Sequence, residues 1–265
     1  MTNPAPPPRV PYDDWADYYD VTDADRAPFI AFYRRLVTPS TRSLLELGCG
    51  TGTLTIAVAN VLEEASPSPR LVVGVDESGG MLSIAHRRRP DLHWLRADIR
   101  AVPLRHRFDL VISCFNTLQH MLSEQDLVRA FQAVRRLLGR DGRFAFDIYQ
   151  PNLAYVRTPA TNRMARALVN SDGEPLEIRE DTRFEEDTQI LRIWWRLVRA
   201  SSPDAAPLAT ASFSLRQYFP EQVERLLTAA GLRLQERYGE FDGSPFTRTS
   251  RKQIIVCGAG AGDAS

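Results

Sequence analysis

The sequence has 265 residues, enough for one α/β domain with an insertion or a small cap. Apolar residues make up 43%, charged residues 25%, and the formal net charge is zero, so a broad basic face for binding nucleic acid is not expected. The three cysteines and four histidines lie far apart in the chain, which argues against both a disulfide framework and a metal site.

The distribution of apolar residues along the chain indicates where in the cell the protein is expected. The first ten residues are rich in proline and lack the apolar core of a signal peptide, and no segment is long enough to cross a bilayer. We therefore expect a cytoplasmic protein with no membrane partner, present as a monomer or a homodimer. Lys252 is the only lysine, so covalent catalysis by lysine has a single candidate, which lies in an expected C-terminal strand.

Between residues 43 and 149, short apolar runs alternate with helical patterns. Strands are predicted at 43–49, 71–76, 92–97, 108–115 and 143–149. Helices are predicted at 53–63, 81–88 and 124–138, and Gly139 and Gly142 are expected to end the last of them. Continuous apolar strands with intervening helices indicate a Rossmann-like α/β fold, in which helices cover both faces of a mostly parallel sheet.

The pattern changes after residue 150. Segments 176–186, 189–199 and 208–218 alternate apolar and polar side chains with no convincing helix between them, which predicts an antiparallel β insertion. A helix at 221–230 and strands at 232–241 and 253–257 follow. We therefore expect N-terminal cap helices in 1–40, a cofactor-binding core in 41–150, an antiparallel β lid in 151–219, and completion of the core sheet in 220–265.

A glycine-rich segment, ELGCGTG at 46–52, follows the first predicted strand and opens the first predicted helix of the core. Glycine lets the backbone of such a loop turn tightly and approach a ligand closely. A dinucleotide-binding G-x-G-x-x-G loop would need glycine where this chain has Thr53. The alternating glycines, with Glu46 two residues before the first, resemble motif I of the class I methyltransferases that use S-adenosylmethionine (SAM).

Further positions match that family in order. Asp76 ends the second strand, where a carboxylate can accept both hydroxyls of a ribose, although a helix N-cap is the alternative. In the family, the acidic residue at the position of Asp98 accepts from the adenine amino group, and the next backbone amide, at Ile99, meets the ring. The resemblance implies SAM as cofactor, S-adenosylhomocysteine as product, and a seven-stranded sheet whose last strand is antiparallel. The residues expected to bind the cofactor are Glu46, Gly48, Cys49, Gly50, Gly52, Asp76, Glu77, Met81, Asp98, Ile99, Cys114 and Tyr19.

The N-terminal segment YDDWADYYD at 12–20 resembles the small-molecule branch of the family, which includes glycine- and aminosugar-type N-methyltransferases. In that branch an N-terminal helix folds over the cofactor. Tyr12, Tyr18 and Tyr19 would then reach the methionine end or the acceptor. The alternative is an aromatic helix face packed on the core, which we favour for Trp15. Tyr18 is a candidate catalytic residue.

A sulfonium methyl group is already activated, so its transfer is an in-line displacement in which the protein mainly positions the nucleophile and excludes water. A base is needed only when the acceptor arrives protonated. His120, in the loop after the fourth strand, is the best titratable candidate because an unperturbed imidazole titrates near neutrality; alternatively, it lines the start of the next helix. The residues expected to bind the acceptor are Asn116, Tyr149, Arg216 and Tyr218.

The predicted function is therefore methyl transfer from SAM to a nitrogen or oxygen atom of a small-molecule acceptor. The loop after the fourth strand is not the N/D-P-P-Y/F type used on the exocyclic amines of nucleobases, and Cys114 lacks the Pro-Cys setting of a cytosine-C5 nucleophile. An RNA or protein methyltransferase remains an alternative. So does a non-catalytic module that binds SAM or S-adenosylhomocysteine, because binding and chemistry are separable in this fold.

Overall fold

The computed structural model describes residues 10, 12–21, 26–65, 70–170 and 172–260. Its strands, in chain order, are β1 (Ser43–Leu47), β2 (Leu71–Asp76), β3 (His93–Arg96), β4 (Phe108–Ser113), β5 (Leu138–Tyr149), β6 (Ala160–Val169), β7 (Pro175–Glu185), β8 (Ile190–Arg199), β9 (Ala209–Arg216), β10 (Leu232–Tyr238) and β11 (Lys252–Ala259). Its helices are α1 (Ala16–Tyr19), α2 (Ala27–Arg34), α3 (Thr53–Ala65), α4 (Gly79–Arg88), α5 (Glu124–Leu137), α6 (Leu153–Val156) and α7 (Pro220–Ala229).

Seven strands form the larger sheet in the order β10-β11-β5-β4-β1-β2-β3. All neighbours pair in parallel except β11, which is antiparallel to both β5 and β10. The central strands are buried along their length, because α2 and α3 pack on one face of the sheet and α5 and α7 on the other. The predicted Rossmann-like fold, with its antiparallel last strand, is confirmed.

The lid is a separate sheet of four antiparallel strands in the order β6-β7-β8-β9. Three of these strands were predicted from their alternating side chains, whereas β6 was not. Its side chains are exposed at seven of ten positions, because β6 is an edge strand with little burial on either face. Such a strand carries no two-residue apolar period, so periodicity does not reveal it.

The fifth strand also begins earlier than expected. Leu138, expected in the preceding helix, pairs with Phe108 of β4, and the register then shifts before Arg143. A Cβ on Gly142 would lie 2.7 Å from the Phe108 carbonyl oxygen. Glycine therefore permits a close approach of two strands here instead of only ending a helix. Among the described helices, none is both long and apolar enough to span a bilayer.

Candidate active site

The glycine-rich loop connects the end of β1 to α3 through left-handed backbone. Gly48 and Gly50 have φ angles of 72° and 53°, a region that residues with a Cβ disfavour. The amides of Gly48 and Cys49 both donate to the Val75 carbonyl of β2, at 2.7 and 3.0 Å. Among the described atoms, a Cβ on Gly50 would meet only a ring carbon of Tyr19, at 3.7 Å. The Tyr19 ring therefore lies directly over the loop at Gly50.

The same loop packs against the segment that follows β4. A Cβ on Gly48 would collide with the side chain of Thr117, whose hydroxyl donates to the Cys114 carbonyl at 2.7 Å. At the other end of the loop, Gly52 packs against the indole of Trp94. These contacts bring together the carboxyl ends of β1 and β4, where the strand order reverses. Open α/β sheets bind their ligands at such a point.

Asp76, at the end of β2, lies between the glycine loop and α4. Its two carboxylate oxygens accept from the amides of Gly50 and Ser78, each at 2.8 Å, and burial raises its pKa. Ser78, not Asp76, caps α4, since the Ser78 hydroxyl accepts from the Met81 amide. The Met81 side chain is buried and that of Glu77 is exposed. Asp76 therefore braces the loop and keeps further lone pairs for a ligand, as the ribose prediction requires.

Asp98 and Ile99 follow β3. Ile99 is buried in the core. The carboxylate of Asp98 pairs with Arg100, at 2.6 Å. Although partial burial acts to raise the pKa of Asp98, the hydrogen bonds from Arg100 lower it overall. An adenine amino group would therefore share this carboxylate with Arg100, a neighbour that the motif did not indicate.

Two of the predicted cofactor residues are buried below the crevice. Glu46 is 2% exposed and accepts from the Thr55 hydroxyl of α3, and burial raises its pKa to about 8. Cys114 lies in the core beneath α2, where burial raises the pKa of its thiol well above the ordinary value. The Cys114 side chain lies in the core and its carbonyl reaches the loop at Thr117, and its role in cofactor binding stays a prediction.

Residues 12–21, which we call the N-terminal strap, are held against the cofactor crevice by two aspartates. Asp13 accepts from the Ser78 hydroxyl at 2.6 Å. Asp20 accepts from the Thr51 hydroxyl at 2.9 Å and pairs with Arg88 at 2.5 Å. Neither aspartate was among the residues predicted from the sequence. The only available signal was their placement at the two ends of the aromatic segment.

The strap brings Tyr12 onto His120. The Tyr12 hydroxyl lies 3.3 Å from His120 Nε2, and the Tyr12 ring stacks on Phe213 of β9 at 5.5 Å. Desolvation lowers the pKa of His120 to about 4, although a hydrogen bond to the Ser214 carbonyl acts to raise it. The tautomer of His120 decides which of the two groups donates in the Tyr12–His120 contact. Contrary to expectation, His120 does not titrate near neutrality.

The other aromatic residues of the strap pack against the inner face of the lid. Trp15 is fully buried, with its ring 5.7 Å from that of Trp195 on β8. Tyr18 and Tyr19 are partly buried against the same cluster. Tyr19 also contacts Tyr12 edge to face at 6.2 Å. Trp15 therefore packs in the core, as favoured from the sequence. The catalytic role of Tyr18 stays a prediction.

The carboxyl ends of β4 and β5 and the start of β11 form the opposite side of the crevice. Phe115 and Asn116 have φ angles of 55° and 64°, unusual for residues other than glycine. The Lys252 ammonium donates to Asn116 Oδ1 at 2.8 Å and lies 4.1 Å from the centre of the Tyr149 ring. Tyr149 is 47% exposed. Asn116 and Tyr149, both predicted to bind the acceptor, therefore lie together.

Asp147 of β5 lies beneath this side of the crevice and hydrogen-bonds to several of its residues. It is fully buried and accepts from the Tyr33 hydroxyl and the Phe115 amide, both at 3.0 Å, and from Lys252 at 2.7 Å. Its partners come from three other elements of the chain, so the carboxylate fixes the unusual backbone after β4. Lys252 enters the site through this pair, which sequence patterns did not indicate because the two residues are 105 positions apart.

Arg216 and Tyr218 attach the lid to the loop before α5. The Tyr218 ring is fully buried, and its hydroxyl donates to the Met121 and Ser123 carbonyls, at 2.6 and 3.0 Å. Arg216 donates to the Leu122 carbonyl at 3.2 Å, and its guanidinium lies over the Tyr218 ring. The Tyr218 hydroxyl and one Arg216 nitrogen thus bind the loop before α5, and the role of both residues in acceptor binding stays a prediction.

Comparisons with known proteins agree with this geometry. Residues 44–142 match a family described as "Methyltransferase domain". The chain is 28% identical over 145 residues to the YqeM protein of Bacillus subtilis (strain 168), named as a candidate methyltransferase; the match covers 53% of this chain and 49% of that protein, about half its length. It is 27% identical over 220 residues to a dTDP-3-amino-3,6-dideoxy-alpha-D-glucopyranose N,N-dimethyltransferase of Streptomyces fradiae, covering 80% of this chain and 77% of that one.

A solved structure shows the same fold. The CcbJ methyltransferase from Streptomyces caelestis superposes with a TM-score of 0.76 at 23% identity, covering 95% of this chain and 99% of that one. Its likeness extends over both the parallel sheet and the lid, whereas the matched family covers the region from β1 to the start of β5. Residues 44–142 therefore match a methyltransferase domain, and the chain shares the fold of the solved methyltransferase over nearly its whole length.

Proposed function

We propose that this chain transfers the methyl group of SAM to a nitrogen or oxygen atom of a small-molecule acceptor, with an amino sugar as the first class to test. One observation carries the proposal: the loops after β1 and β4 meet at Gly48 and Thr117. A cofactor side and an acceptor side therefore share one crevice. The aminosugar N,N-dimethyltransferase relative supports the choice of acceptor.

The chain offers a suitable cradle for the cofactor. Gly50 lies under the Tyr19 ring, which is the one described group within 4 Å of an added Cβ, and Asp76 presents a carboxylate beside it. In the proposed arrangement, Asp76 accepts from the ribose hydroxyls and Asp98 and the Ile99 amide face the adenine, while the loop amides and Tyr19 hold the methionine end. Bound SAM supplies an activated methyl group on a positively charged sulfur.

Neither member of the Tyr12–His120 pair is suited to act as a general base. Burial raises the pKa of Tyr12 well above its usual value, and desolvation lowers that of His120 to about 4. Both are therefore neutral near neutral pH. A base with a pKa of about 4 drives little proton removal from an alkylammonium. We assign His120 the role of orienting the Tyr12 hydroxyl toward the crevice.

An amine acceptor is then kept in its neutral form by the pocket as a whole and not by one basic side chain. Aromatic side chains of the strap and the lid, including Tyr12, Tyr19 and Phe213, surround the crevice. Desolvation by such walls disfavours the charged form of an amine and lowers its pKa. The neutral amine forms its new N–C bond as the S–C bond breaks, and the methylated ammonium loses its proton to water after release.

The direct test is transfer of a trideuteromethyl group from labelled SAM to a panel of nucleotide-linked amino sugars, followed by mass spectrometry. Each amino sugar is paired with the same sugar carrying a hydroxyl in place of the amine. We expect a mass increase on the amino sugars that is lost in Gly50→Arg. Gly173→Arg is the matched control, because Gly173 also has a positive φ but has no described atom within 4 Å of an added Cβ. Label found on RNA or protein, with none on small molecules, would contradict the proposal.

A further inference from the structure

Every cationic side chain of this protein is an arginine except one, and that exception lies at the crevice. The sequence has 33 lysines and arginines together, of which only Lys252 is a lysine. Lys252 begins β11, in register with Tyr149 at the end of β5. Its side chain is 14% exposed. The lysine thus reaches the acceptor side of the crevice from beneath.

The ammonium of Lys252 determines which way the Asn116 amide points. An ammonium has donors and no acceptor, so the atom 2.8 Å from Nζ must be the carbonyl oxygen Oδ1. The –NH2 group of Asn116 is consequently directed away from the lysine. Nζ is itself held by Asp147 at 2.7 Å and by the face of the Tyr149 ring. The Asn116 amide therefore has one orientation, because only its oxygen can accept from the Lys252 ammonium.

A compact ammonium suits this place better than a guanidinium. Three groups surround Nζ, namely a carboxylate, an amide oxygen and an aromatic face. The three donors of an ammonium rotate freely about its stem, whereas a guanidinium has a planar fork that matches one bidentate partner. An arginine at position 252 would therefore pair with the Asp147 carboxylate but would lose the hydrogen bond to the Asn116 oxygen.

Asn116 also stands next to the cofactor loop. The following residue, Thr117, contacts Gly48, and the left-handed backbone at Phe115 and Asn116 is fixed by the Asp147 carboxylate through the Phe115 amide. A donor held on such a rigid turn has little freedom to lose when a ligand binds. The Asn116 amide is thus a fixed donor at the boundary between the cofactor and acceptor sides.

We propose that Lys252 is a positioning residue that orients the Asn116 amide to donate to an oxygen atom of the acceptor next to the atom that is methylated. The inference rests on the proposed function and narrows its acceptor class to molecules with a hydroxyl or carbonyl oxygen beside the nucleophile. An amine next to a hydroxyl, as in many amino sugars, has this arrangement. A simple amine without a neighbouring oxygen lacks the group that Asn116 binds.

The test is a double-mutant cycle read out on two matched acceptors, an amino alcohol and its deoxy analogue. Removing Lys252 alone would leave the buried Asp147 charge unpaired and endanger the fold. The cycle is therefore built on Asp147→Asn, comparing Lys252→Met, Asn116→Ala and both. We expect each to lower kcat/KM for the amino alcohol on the order of tenfold, with no change for the deoxy analogue, since one hydrogen bond is lost.

The decisive result is the behaviour of the combined variant. If Lys252 acts through Asn116, Lys252→Met has no further effect once Asn116 is alanine. Equal losses on both acceptors, or additive losses, would overturn the proposal in favour of a general structural role. SAM affinity and melting temperature serve as controls, and both should match those of Asp147→Asn.

A second measurement does not depend on turnover. With a single lysine, 15N-lysine labelling yields one side-chain ammonium signal for NMR. We expect Asn116→Ala to shift this signal, and we expect the amino alcohol, but not the deoxy analogue, to shift it in the wild-type complex with S-adenosylhomocysteine. A signal that responds to neither change would contradict the proposal. If neither acceptor is methylated by a chain whose ammonium signal responds as expected, the failure lies with the proposed function.

Discussion

The Tyr12 hydroxyl lies 3.3 Å from Nε2 of a histidine that stays neutral, His120. The two residues are 108 positions apart, and the contact joins the N-terminal strap to the loop after β4. The contact holds the Tyr12 oxygen beside a neutral imidazole, so the strap and this loop meet through an uncharged pair.

This relationship predicts the pH dependence of turnover. With a pKa of about 4, His120 is neutral throughout the range from pH 5 to 9. The rise of kcat/KM with pH should therefore follow the pKa of the acceptor amine and move when the acceptor is changed. His120→Ala should lower kcat on the order of tenfold with unchanged SAM affinity and an unchanged pH midpoint. Disappearance of the rising limb in His120→Ala would instead identify His120 as the base.

The carboxylate of Asp76 should dominate the affinity for SAM. Asp76→Ala removes both the expected ribose contacts and the brace on the Gly50 amide. We expect the Kd for SAM to rise by on the order of a hundredfold, as for the loss of two charged hydrogen bonds, while the fold persists. Asp187→Ala, at an exposed turn of the lid, is the control that should leave the Kd unchanged. Calorimetric titration measures both, and equal affinities would remove Asp76 from the site.

Glu46 should release a proton when SAM binds. Burial raises its pKa to about 8, so at pH 7 the carboxyl is mostly protonated. The positive charge of SAM favours the ionised form and lowers this pKa. Calorimetry at pH 7 in two buffers with different ionisation enthalpies should show net proton release in the wild type and less in Glu46→Gln. The same proton count in both proteins would contradict the prediction.

The same carboxyl affects stability in a defined direction. Its folded pKa of about 8 lies above the ordinary value of 4.5, so between these values the folded state binds more protons than the unfolded state. Stability should therefore fall as the pH rises from about 4.5 to 8. Glu46→Gln should remove that part of the slope in denaturant titrations. A slope that is identical in wild type and variant would show that Glu46 titrates normally.

The strap aspartates should control how long the cofactor stays bound. Asp20 connects the strap to Thr51 of the glycine loop and to Arg88 of α4. Asp20→Ala should increase the dissociation rate of SAM on the order of tenfold, the effect of one or two hydrogen bonds to a charged group. Asp17→Ala, an exposed position of the same strap, is the matched control. Stopped-flow displacement measures both rates, and equal rates would argue that the strap does not retain the cofactor.

Local patterns predicted the parts of the fold that depend on local physics. The buried strands β1, β2 and β4 show as apolar runs, and the loop at Gly48 and Gly50 shows as spaced glycines, because burial and positive φ impose direct demands on residue type. The exposed edge strand β6 imposes no such demand and was missed. The start of β5 was misplaced because Gly142 serves a close strand approach there.

The site residues likewise divide into those that local sequence patterns reveal and those that only tertiary contacts reveal. Asp76 is the last residue of its strand, so its place at the carboxyl edge of the sheet was visible in the sequence. Asp147 and Lys252 are joined across 105 positions, and the pKa of His120 depends on packing by the distant lid. Tertiary contacts of this kind leave no periodic signal, so only the structure reveals them.

The measurement that tests the central claim most directly is calorimetric titration of SAM into three proteins: wild type, Gly50→Arg and Gly173→Arg. Gly50 faces the Tyr19 ring, whereas Gly173 lies in an exposed turn of the lid, and both have positive φ. We predict one SAM site per chain in the wild type and in Gly173→Arg, and no binding in Gly50→Arg. SAM binding that survives in Gly50→Arg would contradict the placement of the cofactor on the glycine loop.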